Sequence, residues 1–511
     1  MIKLNIGDTS DNGQITIIDE DRLCYLVKST SRGAFGLRTI SKELLSEYVA
    51  YFDKHPDATA NDARDALSGN SDIDKFEYGY TSTLKVMAQM ALGQISKTNS
   101  DSGFYQKENH PLLQIFSDSP NKDKFLPYLT ALRTKPFMLL AGISGTGKSR
   151  IVRELSKACW KEEDAEYWKD KDKGIRNNSP RNFCMVQVKP NWHDSSELFG
   201  YVSRISGKPE FVAGDFLKFV VKAWEETNVP YFICLDEMNL APVEQYFAEY
   251  LSVIESRKSE NGVITTDPIF KKPFEDRVYN TNIEYGEEID WYQQLIIQLT
   301  SDKGLQKQFY ENGISIPRNL FVVGTVNMDE TTFSFSRKVL DRAMTLEMNE
   351  VDLHGGLTDE GSEIGYIGNC IIGIAAEGKD VYIGNKELCD HVLAYLEKVN
   401  AILEGTPFKI AYRTRNEFLL YAVNRQLLDE KSQLWQTLDE MTSMKILSRI
   451  EGDSERTKNV LEGLKVLVEE EINKAIPEPE EGMEKLKSIT DAKIEEMLGK
   501  LKLSGYTSYW A

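Results

Sequence analysis

The feature that most restricts how this chain can fold is an apolar strand running straight into Gly142-Ile143-Ser144-Gly145-Thr146-Gly147-Lys148-Ser149. The string fits GxxxxGK[ST] and opens a segment whose apolar positions, Ile151, Val152, Leu155 and Cys159, recur at helical spacing. A strand, a glycine-rich loop and a helix in that order form a cradle for phosphate. The glycines let backbone N–H groups converge on phosphate oxygens, and the helix N-terminus adds partial positive charge. Gly142, Ser144, Gly145, Thr146 and Gly147 are therefore the expected loop. Lys148 is expected to reach the β- and γ-phosphates of a nucleotide, and the Ser149 hydroxyl to hold Mg²⁺.

Two later strands carry matching chemistry. Tyr231–Leu235 is apolar and ends on Asp236 and Glu237. Asp236 suits the Mg²⁺ shell, and Glu237 suits polarising an attacking water. Leu320–Thr325 delivers Asn327, whose amide can orient that water; an ordinary turn asparagine is the plainer alternative. Ser336–Ala343 is expected to form a helix bearing exposed arginines. Arg342, at its end, is favoured over Arg337 as a finger for an adjacent subunit's phosphates.

Apolar strands at Phe137–Ala141, Phe183–Val188, Tyr231–Leu235 and Leu320–Thr325 alternate with amphipathic helices, which argues for an α/β fold with a parallel sheet. The expected division is an N-terminal α+β module over 1–95, a polar linker over 96–110 and a nucleotide-binding subdomain over 111–350 carrying an insertion at 255–315. A helical lid follows over 351–465, then an acidic hinge and a mobile C-terminal helix over 466–511. In the first module, strands are expected at Gln14–Asp19 and Arg22–Ser29, and helices after Ser41, from Thr59 and over Ser82–Leu92. Cys370–Ala376 has the length of a buried strand.

Composition narrows the class of partner. Hydrophobic content of 41% and 28% charged residues describe an ordinary globular chain, and the net charge of −19 excludes a basic coat over the whole surface. Six cysteines without paired spacing read as reduced thiols in a cytoplasmic protein. No apolar run approaches the length of a membrane helix and no leader is evident, so no membrane partner is expected. Trp192 is expected to be buried against a helix more often than to line a pore.

Taken together these residues resemble the AAA+ ATPases, and within them the McrB family, the motor of McrBC-type modification-dependent restriction. The carrying segments include Val188-Lys189-Pro190-Asn191-Trp192, Leu198-Phe199-Gly200-Tyr201, Leu235-Asp236-Glu237-Met238-Asn239-Leu240 and Gly324-Thr325-Val326-Asn327-Met328-Asp329-Glu330-Thr331-Thr332. The resemblance covers roughly 111–430. It implies a homo-oligomeric ring, usually a hexamer, hydrolysing ATP or GTP with Mg²⁺ at subunit interfaces, and driving a McrC-like nuclease on DNA in antiviral defence. Tyr412-Arg413-Thr414-Arg415 resembles the segment of the second sensor arginine, which assigns that role to Arg413. Where the founding pattern reads Met-Asn-x-x-Asp-Arg-Ser, this chain has Glu330 and Thr331 for the Asp and Arg, so the link to GTP is loosened and either nucleotide is expected. A MoxR-like chaperone acting on a protein partner is the alternative, and the acidic first module suits it.

Overall fold

The computed structural model describes residues 4, 9–10, 15–20, 24–31, 34–67, 81–92, 97–98, 122–160, 180–203, 210–260, 263–271, 291–328, 335–349, 364–478 and 486–510. The chain divides into two units, Met1–Ile115 with Lys258–Ile264, and Phe116–Arg257 with Thr265–Ala511. Among the described residues no helix is long and apolar enough to cross a membrane.

The second unit is built on five strands: β1 (Phe137–Gly142), β2 (Phe183–Gln187), β3 (Tyr231–Asp236), β4 (Leu320–Asn327) and β5 (Met344–Glu347). Their order across the sheet is β5-β1-β4-β3-β2, and every pairing is parallel. β1 and β4 are buried along their whole length, which explains their unbroken apolar runs: a parallel strand covered on both faces has no solvent side to mark with polar residues. Two amides fix the amino-terminal ends. Asn182 Nδ2 donates to Ser156 O and Pro230 O, and Asn319 Nδ2 to the carbonyls of Ala223, Glu226 and Val229. This is the expected α/β P-loop class with a parallel sheet, a helical lid and a small α+β module.

The first unit is an antiparallel sheet ordered Ala34–Ser41, Cys24–Ser31, Ile15–Glu20, Thr9–Ser10 and Lys97–Thr98. Lys97–Thr98 pairs with Thr9–Ser10 inside the segment read as linker. Helices Lys42–Lys54, Ala60–Leu67 and Thr81–Ala91 pack around Leu45, Tyr48, Phe52, Leu84 and Met87. The capping box at Thr59 forms reciprocally: Asp62 N donates to Thr59 Oγ1 at 3.2 Å and Thr59 N to Asp62 Oδ2 at 2.7 Å.

The helical part of the chain that forms the lid and the C-terminal segment consists of helices Lys386–Ile402, Tyr412–Leu428, Leu434–Lys445, Glu455–Glu471 and Ile489–Ser504. The last of these is not loose. Ile494 and Met497 are buried, and the buried Asp439 accepts hydrogen bonds from Ser488 Oγ, Ile489 N and Thr490 N at its start. The acidic residues Glu480, Glu481 and Glu484 before it lie outside the described residues. Cys370–Ala376 forms turns, not a strand; Cys370 and Ile372 give their carbonyls to Arg133.

A buried ion cluster ties the lid to the sheet. Glu417 pairs with Lys135, two residues before the start of β1, and with Lys445 Nζ at 2.8 Å. Lys445 also donates to the carbonyls of Leu340, Asp341 and Ala343. Burial works against the Glu417 carboxylate, yet the two lysines hold its pKa below the usual value of 4.5. The stability it contributes is thus present above that ordinary value and lost as the pH falls below it. Glu417→Gln leaves Lys445 buried without a counter-charge and is expected to cost about 3–5 kcal/mol at neutral pH. Chemical denaturation checks this, and the gap from the parent chain should narrow in acid. A gap that does not depend on pH would remove the charge from the explanation.

Candidate functional site

The cradle grows from the end of β1. Gly147, the residue before helix Lys148–Ala158, has φ 84°, and Gly145 has φ 85°. An added Cβ at either would meet nothing within 4 Å, so these glycines are required by backbone conformation and not by space. Gly142 is the opposite case: a Cβ there would lie 2.4 Å from Met348 O. Lys148 is buried and its Nζ donates to Gly142 O at 2.9 Å and Ile143 O at 2.7 Å, and Thr146 Oγ1 donates to Ile143 O at 3.2 Å. The loop is therefore closed on itself around the lysine. Ser144 lies exposed on its rim.

Parallel register brings the other polar residues to the same edge. Asp236 ends β3, and its Oδ1 accepts from both Ser149 Oγ and Thr325 Oγ1, the latter at 2.8 Å. Thr325 Oγ1 in turn accepts from Glu237 N at 3.0 Å. Glu237 has φ 53°, the one positive value for a non-glycine among the described residues. A left-handed conformation costs an L-residue roughly 1–2 kcal/mol, and such strain is found where a side chain must be aimed. Here it aims the carboxylate at Asn327, whose Nδ2 donates to Glu237 Oε1 at 3.2 Å. Asn327 is itself buried, with its carbonyl facing Asn239 Nδ2 at 3.4 Å.

Oxygen donors of Ser149 and Asp236 thus converge beside the cradle. That set fits Mg²⁺, which takes few protein ligands and completes its shell with phosphates and water. Among the described residues no group of three or more His, Cys, Asp or Glu could hold a metal by itself.

Two residues not singled out from sequence belong to the site. Thr325 bridges Asp236 to the backbone of Glu237; a lone hydroxyl inside an otherwise apolar strand was the available signal. Asn349 Oδ1 accepts from Ile143 N at 3.1 Å, which brings the segment after β5 against the loop. Nothing in the sequence marks that approach, because it depends on β5 lying beside β1.

The arginines are elsewhere. The expected helix at Ser336–Ala343 is only Arg337–Leu340, and Arg342 sits in the turn after it, half-buried instead of exposed. After Leu340 the backbone bonds tighten to the i→i−3 kind, Arg342 N to Val339 O and Ala343 N to Leu340 O, and Met344 already pairs with Met138; Lys445 Nζ binds the carbonyls of Leu340, Asp341 and Ala343 at this turn. Arg342 Nη1 donates to Lys338 O at 2.8 Å, and its Nε lies 2.6 Å from Glu255 Oε1. Arg413, in the first turn of helix Tyr412–Leu428, pairs with the same Glu255. Arg337 instead covers the Phe408 ring at 4.8 Å. Trp192 is buried edge-on to Tyr246. Glu330 and Thr331, the two departures that loosen the link to GTP, lie outside the described residues.

A model of a domain of unknown function, DUF8727, matches residues 374–506, about a quarter of the chain and confined to the helical part. No curated protein is similar to the chain at the level of sequence. A protein from Cytophaga hutchinsonii, provisionally described as an ATPase, is similar in structure with a TM-score of 0.34 and 14% identity, over 66% of this chain and 84% of that one. NtrX from Brucella abortus, solved with ADP, gives a TM-score of 0.19 and 9% identity over 83% and 82%.

Thr325→Val keeps the shape of the strand but orphans Glu237 N and one bond to Asp236. It is expected to cost roughly 1–3 kcal/mol of stability. Because Glu237 loses its anchor, any reaction that depends on its carboxylate is expected to slow roughly 100-fold. Denaturation and steady-state hydrolysis check the two effects, and parent-like turnover would exclude Thr325 from the site.

Proposed function

We propose that the chain is an AAA+ nucleoside triphosphatase of the McrB type, which binds ATP or GTP at the Gly142–Ser149 cradle and hydrolyses it in a ring of identical chains. The observation that carries the reading is the meeting of Lys148, Ser149, Asp236, Glu237 and Asn327 along one edge of the parallel sheet. Lys148 and the loop N–H groups bind phosphate, and Ser149 and Asp236 hold Mg²⁺, whose charge offsets that developing on the phosphoryl oxygens. Glu237 accepts the proton of an attacking water, with Asn327 fixing the carboxylate that does so.

Arg342 cannot serve its own cradle. β5 runs parallel to β1 with Met344 level with Met138, so the turn before Met344 lies at the amino-terminal end of the sheet. Gly142 is four residues further along β1 than Met138, about 13 Å at 3.3 Å per residue. An arginine on that edge suits the phosphates of a neighbouring chain, as a trans-acting finger.

The work so driven, on this reading, is that of a McrC-like nuclease on DNA. Remodelling of a protein partner is the second reading, favoured by the acidic character of the first 95 residues. Lys148→Ala and Glu237→Gln are each expected to abolish turnover, and Glu237→Gln to retain nucleotide binding; full turnover in both would end the hydrolase reading. Duplex DNA is expected to stimulate hydrolysis with a steep loss on raising salt, the mark of phosphate contacts. Absence of any DNA effect would turn the choice to the protein partner.

A further inference from the structure

We infer that Arg413 acts in trans together with Arg342, and that Glu255 is the positioning residue that makes the two arginines one unit. The inference rests on the hydrolase reading above and extends it.

Three observations carry it. First, a single carboxylate holds both guanidinium groups: Glu255 Oε1 lies 2.6 Å from Arg342 Nε and pairs with Arg413 Nη2. Two arginines on one carboxylate leave a net positive charge, and the cluster is open enough to be met by another molecule. The side chains of Arg342, Glu255 and Arg413 are 18%, 32% and 41% exposed.

Second, Arg413 is held at the edge of the sheet opposite its own cradle. One helical turn after it, Glu417 is buried against Lys135, which precedes β1, while Lys148 follows β1. Lys445, the other partner of Glu417, grips the backbone around Arg342 through Leu340, Asp341 and Ala343. The start of this lid helix and the Arg342 turn are therefore fixed by the same buried ions. Bringing Arg413 to its own phosphates would mean pulling Glu417 away from both lysines, which strands buried charge.

Third, the two arginines differ from their neighbours in sequence. Arg415 bonds Asn416 and covers the Tyr412 ring, and Arg337 covers Phe408. Only Arg342 and Arg413 converge on Glu255 among the described residues. A shared carboxylate sets the separation of two otherwise flexible side chains before a phosphate arrives. It lowers the entropy lost on binding and lets both guanidiniums meet one anionic group with their planar donor forks.

Subunit mixing tests the inference with full-length chains, reading nucleotide turnover. An equimolar mixture of Glu237→Gln and Arg342→Ala is the reference, because some interfaces regain one intact contribution from each chain. At random assembly about a quarter of sites are whole. Arg413→Ala and Glu255→Gln are each expected to be restored by Glu237→Gln to the same extent, which also shows that each variant folds and assembles. Arg342→Ala mixed with Arg413→Ala is expected to stay inactive, since every site then receives a defective neighbour. Restoration in that last mixture places Arg413 in its own site and overturns the inference while the hydrolase reading stands. Parent-like turnover of Glu255→Gln alone removes its positioning role. If the reference mixture itself stays silent, the trans-acting finger fails, and this inference with it.

Discussion

The parallel pairing of β3, β4 and β1 is the constraint on which the site depends. Because all three strands run the same way, their carboxyl-terminal ends share one edge, and Gly142, Asp236 and Asn327 meet there although they are far apart in the chain. Register then does the fine placement. Asn327 stands opposite Gly142, and Gly324 opposite Leu235, so Thr325 falls beside Asp236 and can bridge it to Glu237. An antiparallel neighbour would have sent one of these groups to the other end of the sheet.

The same geometry separates a second set of charges from the first. Lys135, Glu417, Lys445, Glu255, Arg342 and Arg413 gather toward the amino-terminal end of β1, the end away from Gly142. Of these, the buried three are costly to desolvate and persist because each finds a partner or a carbonyl. The outer three are half-exposed and worth little to stability by themselves.

Much of this was legible in the residues. The GxxxxGK[ST] string and the apolar strands on either side dictate a phosphate cradle, and the structure places Lys148, Ser149, Asp236, Glu237 and Asn327 together. What was not legible has a common physical cause. Ser336–Ala343 has helical spacing, but the chain must enter the sheet at Met344, which pairs with Met138, and the helix ends at Leu340. Cys370–Ala376 is apolar enough for a strand, yet its carbonyls are spent on Arg133. Lys97–Thr98 looks like linker because two polar residues carry no periodicity, and only the edge of Thr9–Ser10 makes them a strand.

The sequence by itself determined the local chemistry: which loop can bend around phosphate, which strands must be buried and which carboxylates stand at their ends. These depend on glycine conformation and on hydrophobic period, both written in neighbouring residues. The tertiary structure alone decided that Thr325 joins Asp236 to Glu237, that Asn349 reaches the cradle, and that Arg342 and Arg413 share Glu255. Each of those is a contact between residues distant in the chain, fixed by strand register and by buried charge seeking its partner, and no local pattern encodes either.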